Sequence, residues 1–220
     1  TGVGKSDALT ICPDITLIPA AFNRYLDTTK RMQKVFRNIS PSVNIYSLDE
    51  AFIDVTHCRK NLYPNVLELG EMIQDSIKRE LGSWVTSNVG VADSRFMAKM
   101  ASETAPKGEV FEVTAENRDL ILATTEFKDV CGVGFALARK LKLLGVTVPY
   151  QIRFIPEEDL SSLFGPFWTK ELLKVAYGEE THLLSQLDRK VEHMKSVGRS
   201  ITGYRLYRDQ TEITNILKNL

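Results

Sequence analysis

An adjacent pair of acidic residues, Asp49-Glu50, is the feature of this sequence best suited to chemistry. It lies between two strongly hydrophobic stretches in VNIYSLDEAFIDVT. Neighbouring carboxylates in half-buried strands are costly unless positive charge compensates them there. One explanation is a turn with two solvated acids. The other is a divalent metal site, because Mg²⁺ takes hard oxygen ligands from one or two carboxylates plus substrate phosphates.

A two-metal site at this pair would suit nucleotidyl transfer. Two Mg²⁺ ions about 3.5–4 Å apart can activate a primer 3′-hydroxyl and stabilise the leaving pyrophosphate. Such a site usually needs another carboxylate from elsewhere. Asp54 is close in sequence, but in a continuous strand it would lie roughly 10 Å or more beyond Glu50. We therefore interpret Asp54 as a structural residue.

The tripeptide Gly4-Lys5-Ser6 matches the end of a phosphate-binding P-loop, G-x-x-x-x-G-K-[ST]. The first glycine and the strand of that motif would lie before Thr1. Pro13 should interrupt any helix after about two turns. A polar turn with a lysine explains the tripeptide better, so a P-loop NTPase is the weakest of the functional alternatives.

The composition is typical of a globular chain, with 43% hydrophobic and 25% charged residues. A formal net charge of +0 removes the simplest argument for nucleic-acid binding, although a local basic face stays open. The scattered cysteines suit a reducing cytosol, and His57-Cys58 lacks the spacing of a zinc site. With no signal peptide or membrane-length apolar run, we expect a cytoplasmic bacterial or a nuclear eukaryotic protein. Because no Met precedes Thr1, we expect either a deliberately expressed fragment or an incomplete product.

Hydrophobic spacing predicts a mixed α+β arrangement over the first half of the chain. Helices are expected over 22–39, over 66–81 with Gly82 as C-cap, and from about Ser94 to before Pro106. The segment around the acidic pair should form two short strands or one bent one, and WVTSNVGVA and EVFEV should each form a strand. The order α, ββ, α, β, α, β predicts helices over one face of a mostly antiparallel sheet.

Beyond Val113 the strand signals fade, and residues 115–183 are predicted to form short helices broken by Gly and Pro. Residues 184–196 are polar enough for a linker. RSITGYRLY and TEITNILKNL then predict a new strand and a new helix. The aromatic residues Trp84 and Trp168 are interpreted as core residues rather than as platforms for stacked bases.

The segment YSLDEAFIDVT, which contains the acidic pair, closely resembles the central palm motif of Y-family translesion DNA polymerases, the UmuC/ImpB/MucB/SamB and DinB group. NVGVADSRFMAKMASETAPKG is similar to the family segment that follows in the palm. VCGVGFALARKLKLLGV resembles the helix–hairpin–helix of its thumb, and VGRSITGYRLY resembles the start of its little finger. The resemblance covers nearly the whole chain, and its first motif is the most specific.

The resemblance implies an α+β, ferredoxin-like palm with part of the fingers, a small all-α helix–hairpin–helix thumb, and the start of a little finger. The boundaries it implies run in chain order: partial fingers 1–19, palm 20–114, thumb 115–183, linker 184–196 and the start of the little finger 197–220. The stretch with Lys5 then falls in the fingers, which is a further reason to reject the P-loop.

Around the acidic pair, the resemblance makes Asp49 and Glu50 catalytic metal ligands. It brings Lys99 near the active site, as a residue that contacts DNA. Lys107 becomes a candidate ligand of the incoming triphosphate. This sequence departs from the family pattern there, because it has A-P-K-G where many members have K-P-x-G, so the lysine follows the proline.

For DNA binding, the resemblance makes Gly132-Val133-Gly134 a hairpin whose backbone N–H groups face phosphate, with Arg139 adding charge and Arg199 meeting the template from the little finger. Glycines at a helix start can bind phosphate in this way. Contacts of this kind hold the DNA backbone without reading its sequence. A tight interhelical turn that needs glycine only for steric reasons is the alternative.

The implied activity is template-dependent DNA synthesis with two Mg²⁺ ions, or Mn²⁺ in their place. The implied partners are primer–template DNA and a dNTP, with a sliding clamp as a further candidate and no membrane. The family's first metal-ligating Asp and its triphosphate-gripping fingers residues should precede Thr1, and most of its little finger should follow Leu220. We therefore expect the parent protein to be a polymerase and these 220 residues alone to be inactive. A non-catalytic DNA-binding scaffold is the second hypothesis, and an upstream acidic motif on a strand would distinguish the two.

Overall fold

A computed structural model describes residues 3–57, 65–185, 187, 196, 198, 200 and 205–219. The chain divides into two compact units, Thr1–Asp188 and Arg189–Leu220. The helices and strands, in chain order, are α1 (Lys5–Ile11), α2 (Phe22–Arg37), β1 (Val43–Ile45), β2 (Ala51–Ile53), α3 (Val66–Leu81), β3 (Val89–Val91), α4 (Arg95–Thr104), β4 (Val110–Glu112), α5 (Arg118–Thr124), α6 (Phe135–Leu143), α7 (Glu157–Tyr177), α8 (His182–Ser185) and α9 (Gln210–Lys218).

Within the described ranges, four strands form two pairs. β1 and β2 are antiparallel, with Val43 opposite Ile53. β3 and β4 are parallel, with Val89 opposite Val110, and α4 forms the crossover that a parallel pair requires. The predicted α+β class is confirmed. The prediction of a mostly antiparallel sheet is wrong, because one of the two pairs is parallel.

The helix ends follow local capping rules. The Asn65 side chain accepts a hydrogen bond from the Leu67 N–H at 3.0 Å, and Gly82 closes α3 with a φ of 109°. The Ser94 side chain caps α4 by accepting from the Met97 N–H. α1 ends at Ile11, two residues before Pro13, as predicted. α2 ends two residues earlier than its hydrophobic pattern suggested.

β3 lies between two helices. Val89 packs into the cluster formed by α2 and α3, whose buried members include Phe36 and Ile73. Gly90, on the opposite face of the strand, lies directly against the backbone of α4. The expectation of helices over one face only is therefore wrong for this pair of strands. The alternation of side chains along a strand sends the two neighbours to different helices.

The larger core surrounds α4 and joins it to the helices that follow β4. Phe96, Met97 and Met100 are fully buried on α4, and they share one cluster with Leu141 and Leu172 from α6 and α7. Between residues 118 and 185 the structure contains helices and 3₁₀ turns but no strand, as predicted.

Two tryptophans depart from the sequence interpretation. Trp84 is 97% exposed and Trp168 is 41% exposed, so assigning them to the core is wrong. Trp84 follows the turn at Gly82, and the strand predicted from WVTSNVGVA begins only at Val89. A hydrophobic residue next to a glycine turn carries no periodic signal that distinguishes core from surface.

The second unit contains α9, which the sequence predicted. The Asp209 side chain caps it by accepting from the Glu212 N–H at 2.8 Å. Most of the strand predicted in RSITGYRLY, and Arg199 itself, lie outside the described residues. Within the described ranges, no helix has the length and apolar character needed to cross a bilayer.

Candidate active site

The acidic pair lies in the turn that joins β1 to β2. The backbone N–H groups of Tyr46 and Ser47 donate to the Glu50 carbonyl oxygen at 3.0 and 3.2 Å, which closes the turn. Both acidic side chains are exposed, rather than half-buried within strands as the sequence suggested. The buried Thr29 of α2 anchors the turn by donating to the Leu48 carbonyl oxygen.

A serine holds the two carboxylates together. The Ser47 hydroxyl lies 2.7 Å from Oδ1 of Asp49 and 3.1 Å from Oε2 of Glu50. Asp54, by contrast, accepts from the Thr56 N–H at 2.9 Å at the far end of β2. Hydrogen bonds from the side chain and backbone of Thr56 lower the pKa of Asp54. These local contacts are those expected of a structural aspartate.

Lys99 of α4 supplies the positive charge that the acidic pair requires. Its ammonium contacts Oε1 of Glu50 and lies 2.8 Å from Oε1 of Glu103, while its side chain is only 10% exposed. Burial acts to lower the pKa of Lys99, but the hydrogen bonds to Glu103 and Glu50 outweigh burial and raise it. Lys99 therefore stays charged across the physiological range. Sequence reasoning missed Glu103, although its i,i+4 spacing from Lys99 was a usable signal.

Tyr46 connects the turn to the segment before the predicted hairpin. Its hydroxyl lies 3.5 Å from Sγ of Cys131, and the Lys99 ammonium lies 5.3 Å from its ring centroid. The hydrogen bond with Cys131, followed by burial, raises the pKa of Tyr46 to about 12. Since Cys131 immediately precedes Gly132, the acidic turn and the glycine hairpin are neighbours in space.

Residues 132–134 form a glycine turn that leads into α6. Gly132 has a φ of 84°, Val133 is buried, and Gly134 is the N-cap of α6. Leu141 is fully buried, so α6 packs into the larger core by the face that carries this residue. The element before the hairpin is a single 3₁₀ turn, Phe127–Asp129, instead of a full helix. The basic side chains of α6 are exposed to solvent: Arg139, Lys140 and Lys142.

Lys107 is exposed in the turn between α4 and β4. Asn88 fixes this turn, because its side chain donates to the Ala105 carbonyl oxygen at 3.1 Å and accepts from the Gly108 N–H at 2.7 Å. α4 returns the chain from the end of β3 to its start. Lys107 therefore lies near the same end of β3 as Glu103. It does not line the cavity beside the acidic turn.

A cavity of about 1050 Å³ opens beside the acidic turn. Asp49, Glu50, Lys99 and Glu103 line it together with apolar residues of α2 and α3, and with β2 and β3. The donor atoms fit Mg²⁺ in kind, because Asp49 and Glu50 offer hard carboxylate oxygens at an exposed turn. Among the described residues, no group of three or more His, Cys, Asp or Glu side chains could hold a metal ion.

Residues 1–103 match the model of the impB/mucB/samB family. DNA polymerase IV of Clostridioides difficile strain 630 is 32% identical over 213 residues, which cover 95% of this chain and 55% of the relative. DNA polymerase IV of Xanthomonas axonopodis pv. citri strain 306 is 30% identical over 157 residues, or 71% of this chain and 43% of the relative. The chain thus spans about half the length of these relatives.

Solved structures share the fold. A crystal structure of DinB from Sulfolobus solfataricus matches with a TM-score of 0.71 and 24% identity, covering 80% of this chain and 51% of that one. An insertion ternary complex of Dbh DNA polymerase matches with a TM-score of 0.73 and 23% identity, covering 82% and 52%. Taken with the family match that spans the acidic turn, these likenesses bear out the resemblance of this chain to Y-family translesion DNA polymerases of the impB/mucB/samB group.

Proposed function

We propose that the protein containing this chain is a template-directed DNA polymerase that works in translesion synthesis, with Asp49 and Glu50 holding its two Mg²⁺ ions. The observation that carries the proposal is the acidic turn, which presents two carboxylates on one serine at the mouth of a large cavity. Relatives named DNA polymerase IV support the activity. The related ternary complex of Dbh DNA polymerase supports primer–template DNA and a dNTP as substrates.

In this proposal each residue of the turn has a defined task. Asp49 and Glu50 bind the metal ions, which when present activate the primer 3′-hydroxyl and stabilise the leaving pyrophosphate. Ser47 keeps the two carboxylates on one side of the turn. In the same proposal Lys107, in the turn after α4, contacts the incoming triphosphate, and Lys99 lies at the acidic pair itself.

A third carboxylate is proposed to come from a strand outside residues 1–220. Backbone hydrogen bonds between β1 and β2 join Tyr46 to Glu50 and Ser42 to Asp54. In an antiparallel pair every second residue is bonded to the partner strand, so Ala51 and Ile53 direct their backbone N–H and C=O groups away from β1. Gly90 likewise directs its backbone groups away from β4. These outward-facing edges of β2 and β3 both line the cavity, so an added strand in the cavity would find backbone groups to pair with. By this reasoning residues 1–220 alone do not incorporate nucleotides.

The helical region after β4 is proposed to be the thumb, residues 115–183, following a palm over 20–114 that partial fingers over 1–19 precede. In this arrangement residues 184–196 link it to a little finger that starts at 197–220, and Arg199 meets template phosphate there. A sliding clamp is a further proposed partner. Because the relatives are bacterial polymerases, we also propose that the protein works in the cytoplasm.

Arg139→Ala should weaken binding to primer–template DNA by about 3- to 10-fold, and by the same factor on DNA of unrelated sequence. It should also reduce the steepness of the plot of log K against the logarithm of the salt concentration by about 1. The reason is that exposed Arg139 follows the Gly132–Gly134 hairpin, where the first N–H groups of α6 suit a phosphate. Fluorescence anisotropy at several salt concentrations measures this. Lys78→Ala, on the surface of α3, is the control, and an equal loss there would remove the hairpin from the DNA interface.

Primer extension by the full-length protein with Mg²⁺ and dNTPs tests the polymerase activity directly. We expect extension on undamaged templates and past an abasic site, and its loss when EDTA removes the metal. The 220-residue chain, assayed in parallel, should bind DNA without extending the primer. Extension by that chain, abolished by Glu50→Ala, would overturn the proposed need for an added strand. A full-length protein that binds primer–template but does not extend it would be a DNA-binding scaffold instead.

A further inference from the structure

We propose that Lys99 and Glu103 form a counter-ion relay that sets how tightly the acidic turn binds a divalent cation. In the relay, the Lys99 ammonium neutralises Glu50 while the metal is absent and is retained by Glu103 when a cation binds Glu50. The inference rests on the proposed function, since it deepens the role of the same site. It makes Lys99 and Glu103 positioning residues, whose effect on the metal passes through Glu50.

The contacts define two partners for one cation. The Lys99 ammonium touches Oε1 of Glu50, which belongs to the turn, and Oε1 of Glu103 at 2.8 Å, which belongs to its own helix. Glu103 lies one turn further along α4, so the pair with Lys99 survives any movement of the acidic turn. The two carboxylates come from different elements, and only Glu50 adjoins Asp49.

Charge decides how the two partners are used. A divalent cation on Glu50 and the ammonium in contact with the same carboxylate repel each other, so the ammonium must retreat as the metal enters. Lys99 cannot retreat into solvent easily, because its side chain is 10% exposed. A buried charge without a partner is costly, and Glu103 provides the partner.

The relay predicts opposite effects for its two members. Removing the ammonium removes the competitor, so Lys99→Met should tighten Mn²⁺ binding by about 3- to 10-fold. Removing the reserve partner leaves the ammonium dependent on Glu50, so Glu103→Gln should weaken Mn²⁺ binding by about 3- to 10-fold. Glu103 acts only through Lys99, so the double variant should behave like Lys99→Met alone.

The experiment is Mn²⁺ titration of the full-length protein, without DNA or nucleotide, followed by the electron paramagnetic resonance signal of free Mn²⁺. Lys128→Met is the matched control, because Lys128 forms an exposed ion pair with Glu126. Circular dichroism melts confirm that each variant is folded. The opposite shifts, with no shift in the control, support the relay.

Shifts of the same sign in both variants, or no shift in either, would overturn the relay and leave Lys99–Glu103 as an ion pair within α4 that does not affect the metal. A double variant whose change in Mn²⁺-binding free energy equals the sum of the changes in the two single variants would also overturn the relay. The test of the relay is separable from the test of the proposed function. If the wild type extends primers but the variants do not show the opposite shifts, only the relay is rejected. A wild type that binds no Mn²⁺ at the turn loses both.

Discussion

Replacing both acidic residues of the turn, with Asp49→Asn and Glu50→Gln, should reduce primer extension by the full-length protein by at least about 1,000-fold. The two carboxylates are proposed to hold the ions that stabilise charge in the transition state, and amides do not replace them as ligands. Both side chains are exposed, and Ser47 can still donate to the amide oxygens, so the fold should survive. Rapid-quench measurement of single-nucleotide incorporation gives the rate, and thermal melts report stability.

Asp75→Asn, an exposed acid on α3, is the control for this pair, and it should leave incorporation unchanged. DNA binding by the double variant should persist, because the basic residues of α6 are untouched. If the double variant incorporates nucleotides within about tenfold of the wild type, the acidic turn is a pair of solvated acids and the catalytic site is elsewhere.

The elements that follow from local pattern were the ones predictable from sequence. α3 has five apolar residues at helical spacing, an Asn cap and a terminal Gly, and its bounds were anticipated to the residue. The strands are three residues each, too short for a periodic signal to fix their ends, so WVTSNVGVA predicted far more strand than Val89–Val91. Parallel pairing of β3 with β4 was missed for a related reason. Strand partners are chosen by tertiary packing, which no single segment encodes.

In the candidate site, too, residues with a local signal were predictable, whereas contacts between distant segments were not. Asp49 and Glu50 were identified by residue type and position, and Lys99 by resemblance. The contact between Glu50 and Lys99 depends on how the hairpin sits against α4, and 49 residues separate the partners in sequence. The contact between Tyr46 and Cys131 spans 85 residues. Such contacts between distant segments require the packed structure, whereas Glu103 could have been found from its spacing to Lys99.

Gly90→Ala should lower the free energy of unfolding by about 3 kcal/mol or more, through the close packing of β3 on α4. A Cβ at this position would lie 1.9 Å from the Ala98 carbonyl oxygen and 2.5 Å from the Ser102 amide nitrogen. Both are backbone atoms of a helix whose neighbouring residues are fully buried, so no side-chain rotation relieves the clash. Denaturant unfolding followed by circular dichroism measures the loss.

Gly134→Ala is the matched control, because nothing lies within 4 Å of the added Cβ and the backbone φ is −71°. It should change the free energy of unfolding by less than about 1 kcal/mol. The same two variants also test the candidate site. Ala98 and Ser102 lie on either side of Lys99 on α4, so a helix pushed away from β3 carries the Lys99 ammonium away from Glu50. Gly90→Ala protein that remains folded should therefore show altered Mn²⁺ affinity, whereas Gly134→Ala should not. Equal stability of the two variants would mean that β3 and α4 are not packed backbone to backbone, and the position of Lys99 beside the acidic turn would lose its structural basis.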